Sequence, residues 1–312
     1  MNHHMKSKRQ CILAAVTLLL LAGCSNNNEV ATPDSNARVA LQVNGGILTR
    51  AAGNKWNAGD AIGIYMVKHG TTTISEGAEN RLYSTTDGSS TFSSSKETTI
   101  YFSKDGGLVD FLAYYPYRET LTEGALTLNV SDQTNLSAID LMSAKVQSTP
   151  EKPMDKNHPQ VALNFTHMLT KLELNIATGN GMSTDELKGL KVEITNQRTE
   201  GSFDPLYEAH EVLDTPAKTV ALNTNADGTQ AQAILLPTTA AGDINPIIRG
   251  RELIFTLAGN KVFKWSVPDE KSFERGDRNI YNITINRTSL AVTATITDWN
   301  NGNGSGDDAS AE

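Results

Sequence analysis

The chain has little of what enzymes and metal sites are usually built from. Two cysteines, Cys11 and Cys24, stand among 312 residues, and aromatics make up 6%. Beyond the N-terminal His3 and His4 there are only His69, His158, His167 and His210. No His pair brackets a Glu at four-residue spacing, and Glu208-Ala209-His210-Glu211 is not a zincin pattern. There is no G-x-S-x-G elbow and no G-x-x-x-x-G-K-[ST] phosphate loop. The Asp and Asn oxygens of Asn300–Asp308 lack EF-hand spacing and read as a solvated tail. The acidic residues define no glycosidase pair by position. His167, inside the strand-like run NFTHMLTKL, reads as a packed structural residue. These absences argue against an enzyme and leave no metal or cofactor site to assign.

Positive charge is also scarce. Lys and Arg number 27 against 35 Asp and Glu, a net −8, which excludes a broad electrostatic footprint for nucleic acid. After residue 23 no stretch approaches the roughly 20 apolar residues of a spanning helix. With 38% hydrophobic and 20% charged residues, the chain can still build cores, so disordered, coiled-coil and polytopic membrane classes are out.

Small polar residues are plentiful. The 34 Thr, 26 Asn, 22 Ser and 24 Gly favour strands and turns over long helices. The N-terminus is a separate matter. Lys6, Lys8 and Arg9 precede the apolar run Cys11–Leu21, and Leu21-Ala22-Gly23-Cys24 matches a bacterial lipobox. An ordinary secretory signal followed by a chance Cys is the plainer alternative. On the lipoprotein reading, residues 1–23 are a signal peptide and Cys24 takes the lipid (a diacylglyceryl thioether, then further acylation such as palmitate). Cleavage moves the net charge from −8 to −11 and leaves Cys24 as the only cysteine, so the mature chain has no disulfide. Residues 24–36 then form a solvated tether.

The remainder reads as strands. Val39, Leu41 and Val43 alternate on one face, followed by Ala61–Val67, Thr98–Phe102, Leu108–Tyr115 and Leu126–Val130. Thr85–Lys96 is polar enough to predict an exposed loop. Val146–Pro159, with three prolines, predicts a linker. Beyond it Val161, Leu163 and Phe165 keep one parity and Leu172, Leu174 and Ile176 the other, which marks a bulge or a new strand. Lys191–Ile194, Thr219–Leu222, Ala231–Leu236, Glu252–Leu257, Val262–Val267 and Tyr281–Ile285 continue the pattern, and Ser183–Glu186 carries a capping box. Ser289–Trp299 places Leu290, Val292, Ala294 and Ile296 on one face. The length suits two domains. The expected architecture is all-β, two antiparallel β-sandwiches over residues 37–157 and 158–299, with a disordered polar tail at 300–312. Tyr114, Tyr115 and Tyr117 could stack on a sugar, or equally close a core strand at a turn.

Several motifs in order resemble the fimbrillin family, the type V pilin subunits of Bacteroides-like bacteria. They are the lipobox Cys24, Ile47-Leu48-Thr49-Arg50-Ala51, Trp56–Tyr65 (WNAGDAIGIY), Phe111–Tyr117 (FLAYYPY), Asp140-Leu141-Met142, Phe165–Leu172 (FTHMLTKL) and Ile296–Trp299 (ITDW). The resemblance implies two transthyretin-like β-sandwich domains in tandem. It implies export as an outer-membrane lipoprotein, cleavage by an Arg-specific protease between Arg50 and Ala51, and release of a first strand, residues 37–50, that includes Val39, Leu41 and Val43. A neighbouring subunit's strand over 289–299, carrying Leu290, Val292, Ala294 and Ile296, would then fill the vacated groove. The expected partners are other pilus subunits, the outer membrane through the lipid, the protease, and a host glycan or protein ligand. The final location would be a fimbrium on the cell surface. Family stalk subunits often carry a longer C-terminal extension than the polar stretch after Trp299, so Leu290 to Ile296 also reads as an ordinary last strand of the C-terminal domain; a stalk, tip or anchor role stays open, as does a rival reading as a monomeric glycan-binding lipoprotein.

Overall fold

Two long apolar runs lie at the heart of the first half of the chain, and their lack of alternation reflects burial on both faces. The computed structural model describes residues 38–48, 55–238, 249–269, 272–298 and 304–307, with backbone alone described from 294 onward. Its first strands are β1 (Gln42–Ile47), β2 (Ala61–Lys68), β3 (Arg81–Ser84), β4 (Thr91–Phe92), β5 (Val109–Tyr115), β6 (Leu126–Asn129), β7 (Met142–Val146) and β8 (Gln160–His167). Seven of them form one sheet in the order β3-β2-β5-β7-β8-β1-β4. At its middle, β7 and β8 pair over only two positions, Met142 with His167 and Ser143 with Thr166. The sheet folds over at that corner, so that Ile62, Ile64, Phe111 and Ala113 from one wing meet Leu41, Val43, Val161, Leu163 and Phe165 from the other in a single core. Every residue of β5 is buried. Val109, Phe111, Ala113 and Tyr115 face this core, while Leu112 and Tyr114 face a different one.

The later strands are β9 (Thr170–Thr178), β10 (Lys191–Gln197), β11 (Glu200–Asp204), β12 (Ala209–Val212), β13 (Lys218–Ala221), β14 (Asn223–Thr224), β15 (Gln230–Leu235), β16 (Glu252–Thr256), β17 (Val262–Ser266), β18 (Asp277–Ile285), β19 (Leu290–Asp298) and β20 (Gly304–Asp307). All but β11 and β12 make a second sandwich from the sheets β13-β10-β16-β17 and β14-β15-β9-β18-β19-β20. Its core holds Leu172, Leu174, Val192, Ile194, Leu235, Phe255, Trp265, Tyr281 and Ile283. The Trp265 and Tyr281 rings meet edge-on at 5.1 Å.

A third, smaller sheet, β12-β11-β6, draws β6 from the first half of the sequence and β11 and β12 from the second. It closes the core that contains Tyr65, Val67, Leu112, Tyr114, Leu169, Phe203 and Leu236. Buried Gln133 adds a polar tie, because its Nε2 donates to Val130 O at 2.6 Å and Ile234 O at 2.9 Å. Its Oε1 in turn accepts Ile234 N at 2.8 Å. Every polar group of that amide is therefore answered inside the protein. The described residues from Arg38 onward form one compact unit.

The all-β architecture agrees with the sequence expectation, with several local differences. Two pairings are parallel, β1 with β8 and β18 with β9, whereas all other described strand pairs are antiparallel. The proline-rich stretch expected to link domains joins β7 to β8 within one sheet, and the first sheet runs on to His167. Its prolines terminate strands but do not separate sandwiches. The polar run Thr85–Lys96 contains β4, whose Phe92 is 3% exposed and belongs to the first core. Thr98–Phe102 contributes a bridge, Ala40 with Tyr101, in place of a full strand. The polar tail carries β20, which pairs with Ala294–Thr297 of β19. The capping box at Ser183 opens a short 3-10 turn, where Glu186 Oε1 accepts the Ser183 amide at 3.0 Å.

Candidate strand-exchange site

The first strand is held on both edges and by its side chains. Along one edge β1 runs parallel to β8, from Gln42 beside Gln160 to Ile47 beside Phe165. The other edge is partnered in two pieces. Leu41 N donates to Ile100 O at 2.9 Å and Phe102 N to Val39 O at 3.0 Å, and further on Gly45 N donates to Ser90 O at 2.7 Å. The loop between these pieces turns away and leaves a cleft of about 850 Å³ beside the strand. Its floor is Leu41, Val43, Tyr83, Phe92 and Val161, its rim is Ser, Thr, Asn and Gln, and among the described residues none that lines it is charged. Burial pushes the Tyr83 phenol up, and its oxygen accepts the Ile100 amide at 2.9 Å.

Leu41 and Val43 are 6% and 5% exposed, and Val39 and Ile47 pack on the same core half-buried. Gly45 continues this inward row. Its carbonyl accepts the Trp56 indole N–H at 2.7 Å in a buried position. A Cβ on Gly45 would lie 2.8 Å from the Phe92 ring and 3.5 Å from Phe165. Trp56 meets Phe92, Tyr115 and Phe165 edge-on at 5.0, 5.3 and 5.4 Å, so an aromatic box encloses the strand where it is thinnest. At the strand's start, Arg38 reaches Glu76 at 3.4 Å and lies over the Tyr101 ring at 4.7 Å.

The expected donor segment is seated elsewhere. β19 pairs antiparallel with β18 at nine successive positions, Ile285 with Leu290 through Asp277 with Asp298. Val292 is 2% exposed and Leu290 packs half-buried on the second core, while Ala291 and Thr293 face solvent. The side chains of Ala294 and Ile296 lie outside the described residues, as do Cys24, Arg50 and Ala51.

Three of the histidines lie beside carboxylates. His69 Nδ1 lies 2.8 Å from buried Asp110, His158 Nδ1 2.8 Å from Asp155, and buried His167 Nδ1 2.8 Å from Asp140. These three pairs occupy separate places, and among the described residues no three His, Cys, Asp or Glu are grouped to hold a metal. Two of the three clustered tyrosines are walled off from any sugar, and Tyr117 packs partly buried beside the third core. Tyr114 is fully buried, Tyr115 is 6% exposed, and Tyr114 OH donates to Asn80 Oδ1 at 2.7 Å. The aromatic box was not assigned from sequence. Its signals were Trp56 opening the WNAGD motif, Phe92 as the lone large apolar residue of the twelve in Thr85–Lys96, and the Gly45-Gly46 pair inside an alternating strand.

Comparison with known proteins gives the same fold and adds a family. Residues 49–299 match the family model described as fimbrillin-like. A Bacteroides uniformis protein named as a candidate fimbrium subunit, Fim1C, is 38% identical over 318 aligned positions, covering 98% of this chain and 99% of the relative. A crystal structure of a candidate cell adhesion protein from Bacteroides uniformis is 37% identical with a TM-score of 0.73, covering 84% of this chain and 99% of that one. Another from Bacteroides ovatus, 24% identical with a TM-score of 0.67 and covering 85% and 99%, shares the fold. With a model match over most of its length and a full-length relative at this identity, the chain belongs to the fimbrillin-like family.

Proposed function

We propose that the protein is a non-enzymatic structural subunit of a fimbrium, with a role in adhesion. It is exported as a lipoprotein through Cys24 and assembled by protease-triggered strand exchange. An Arg-specific protease hydrolyses the bond between Arg50 and Ala51. The released piece carries the lipid, Val39, Leu41 and all of β1 with its Val43, and leaves a groove that a neighbour's Leu290, Val292, Ala294 and Ile296 fill. Until cleavage, several acyl chains on Cys24, at roughly 0.8 kcal/mol per buried CH₂, hold the subunit at the outer membrane.

The observation that carries this reading is the placement of β1. It fills a slot between β8 and residues 90–102, supplies buried side chains to the first core, and ends at Ile47, three residues before Arg50. One cut at that arginine therefore frees a whole structural unit. The loss uncovers an apolar row worth very roughly 1–2 kcal/mol per side chain and two unpaired backbone edges, a state that favours uptake of another strand. The family segment opens at Thr49, so β1 lies outside it.

The test is the N-terminus of protein recovered from its own cells, by intact mass and terminal sequencing. A start at Ala51 is expected in assembled fimbriae, and Arg50→Ala should leave monomers that start at acylated Cys24. If wild-type fimbriae contain only chains that begin at Cys24, the processing mechanism is wrong.

A further inference from the structure

We infer that the exchanging strand enters in a single register and polarity, parallel to β8, with Leu290 in the place of Leu41, Val292 in that of Val43, Ala294 in that of Gly45 and Ile296 in that of Ile47. This rests on the reading above that β1 leaves and that residues 290–296 of a second copy replace it.

The two segments carry the same alternating pattern, Leu-x-Val-x-Gly-x-Ile over residues 41–47 and Leu-x-Val-x-Ala-x-Ile over residues 290–296, with a small residue third in each. The groove makes that third position selective. A Cβ at Gly45 already lies 2.8 Å from the Phe92 ring, so a methyl requires that ring to yield toward the adjoining cleft, and a branched side chain asks for far more. Sliding the incoming strand two residues either way puts Val292 or Ile296 against Phe92. Reversing its direction while keeping Ala294 there places Asp298 in the buried position of Leu41. Sliding by one residue turns the apolar row outward. Only the register stated satisfies sterics and burial together.

Trp56 reinforces it. This residue stays with the subunit after a cut at Arg50, and its buried indole N–H loses the Gly45 carbonyl when β1 departs. In the proposed register the Ala294 carbonyl arrives at that N–H, and the Ala294 amide faces Ser90 O as the Gly45 amide does now. Trp56 and Phe92 thus act as the specificity determinants of the groove, one requiring a carbonyl and the other a small side chain.

The test maps the register by cysteine cross-linking between copies of the mature chain bearing Cys24→Ser. Donor copies carry Thr293→Cys with Arg50→Ala, so that they cannot accept. Acceptor copies carry Ala162→Cys, Gln160→Cys or Asn164→Cys, all exposed on β8 and opposite positions 44, 42 and 46 of the groove strand. The Arg-specific protease is added to each mixture, followed by mild oxidation. The expected result is a dimer band with Ala162→Cys and little with the other two. A dominant band with Gln160→Cys or Asn164→Cys would overturn the register while keeping residues 290–296 as donor. Association without any of these cross-links would overturn the donor assignment, and cleavage without association would sink the strand-exchange reading itself. A second arm uses Ala294→Val donors, expected to associate roughly tenfold or more slowly, with Phe92→Leu acceptors restoring the rate. Equal rates for Ala294→Val and wild-type donors would contradict the steric selection.

Discussion

At the scale of single residues, the fold depends on buried polar groups that have found partners. Asp110 is the one acid on the fully buried β5 and is 2% exposed. Burial pushes its carboxyl up, but the Gly70 amide at 2.8 Å, the His69 ring at 2.8 Å and the Ser148 amide at 2.8 Å outweigh that and hold it below the ordinary range. A carboxyl depressed in the folded state adds stability above its unfolded pKa, near 4, and loses it as the pH falls through the lower folded value. Asp110→Asn should therefore cost about 2 kcal/mol at neutral pH. It should also flatten the acid limb of a urea-midpoint series between pH 7 and pH 3. A variant that tracks the wild-type slope at acid pH would show that other carboxylates govern that limb. Asp110 was visible in the sequence only as a blemish in LVDFLAYY. Its three partners come from two distant loops, which no local pattern encodes.

At the scale of elements, β1 shows what a strand pattern does and does not say. The alternation of Val39, Leu41 and Val43 marked an inward face, and these side chains do meet the first core. That the strand lies parallel to β8, more than a hundred residues later, depends on which edge is free once β5, β7 and β8 have paired. Gly45 offers a direct check. Gly45→Val should destabilise the uncleaved chain by about 1–3 kcal/mol, read from urea unfolding, since Phe92 and Phe165 leave no room. After processing at Arg50 the substituted residue is gone, so the product should assemble at the wild-type rate. Impaired assembly of the processed product would show that Gly45 is not on the released piece.

At the scale of the whole molecule, the shared third core decides how the halves behave. Phe203, fully buried, reaches from β11 toward Leu126 and Leu128 of β6, Tyr65 of β2 and Tyr114 of β5. Phe203→Ala should cost roughly 3–5 kcal/mol. Because Trp56 reports on the first core and Trp265 on the second, variants retaining one or the other report each half separately. Both should lose signal at the same urea concentration, lowered together by Phe203→Ala. Separate midpoints would mean that the sandwiches unfold independently and that this core is a weak contact.

The sequence by itself determined the class and the inward faces. Period-two alternation is a local property of pleated backbone, so β8, β9, β15 to β19 and the absence of long helices among the described residues could be read directly. So could the family, because its motifs are contiguous words such as WNAGDAIGIY and FLAYYPY. Only the tertiary structure decided which strands are neighbours, because pairing partners are chosen by edges left open elsewhere in the fold. That is why the proline-rich 147–159 stretch joins strands of one sheet, why Phe92 leaves its polar surroundings for the core, and why Tyr114 and Tyr115 are walled in. The small-residue gate at Gly45 belongs to the same category. Its meaning comes from a tryptophan 11 residues on and a phenylalanine 47 residues on, brought within van der Waals reach by the closing of the sandwich.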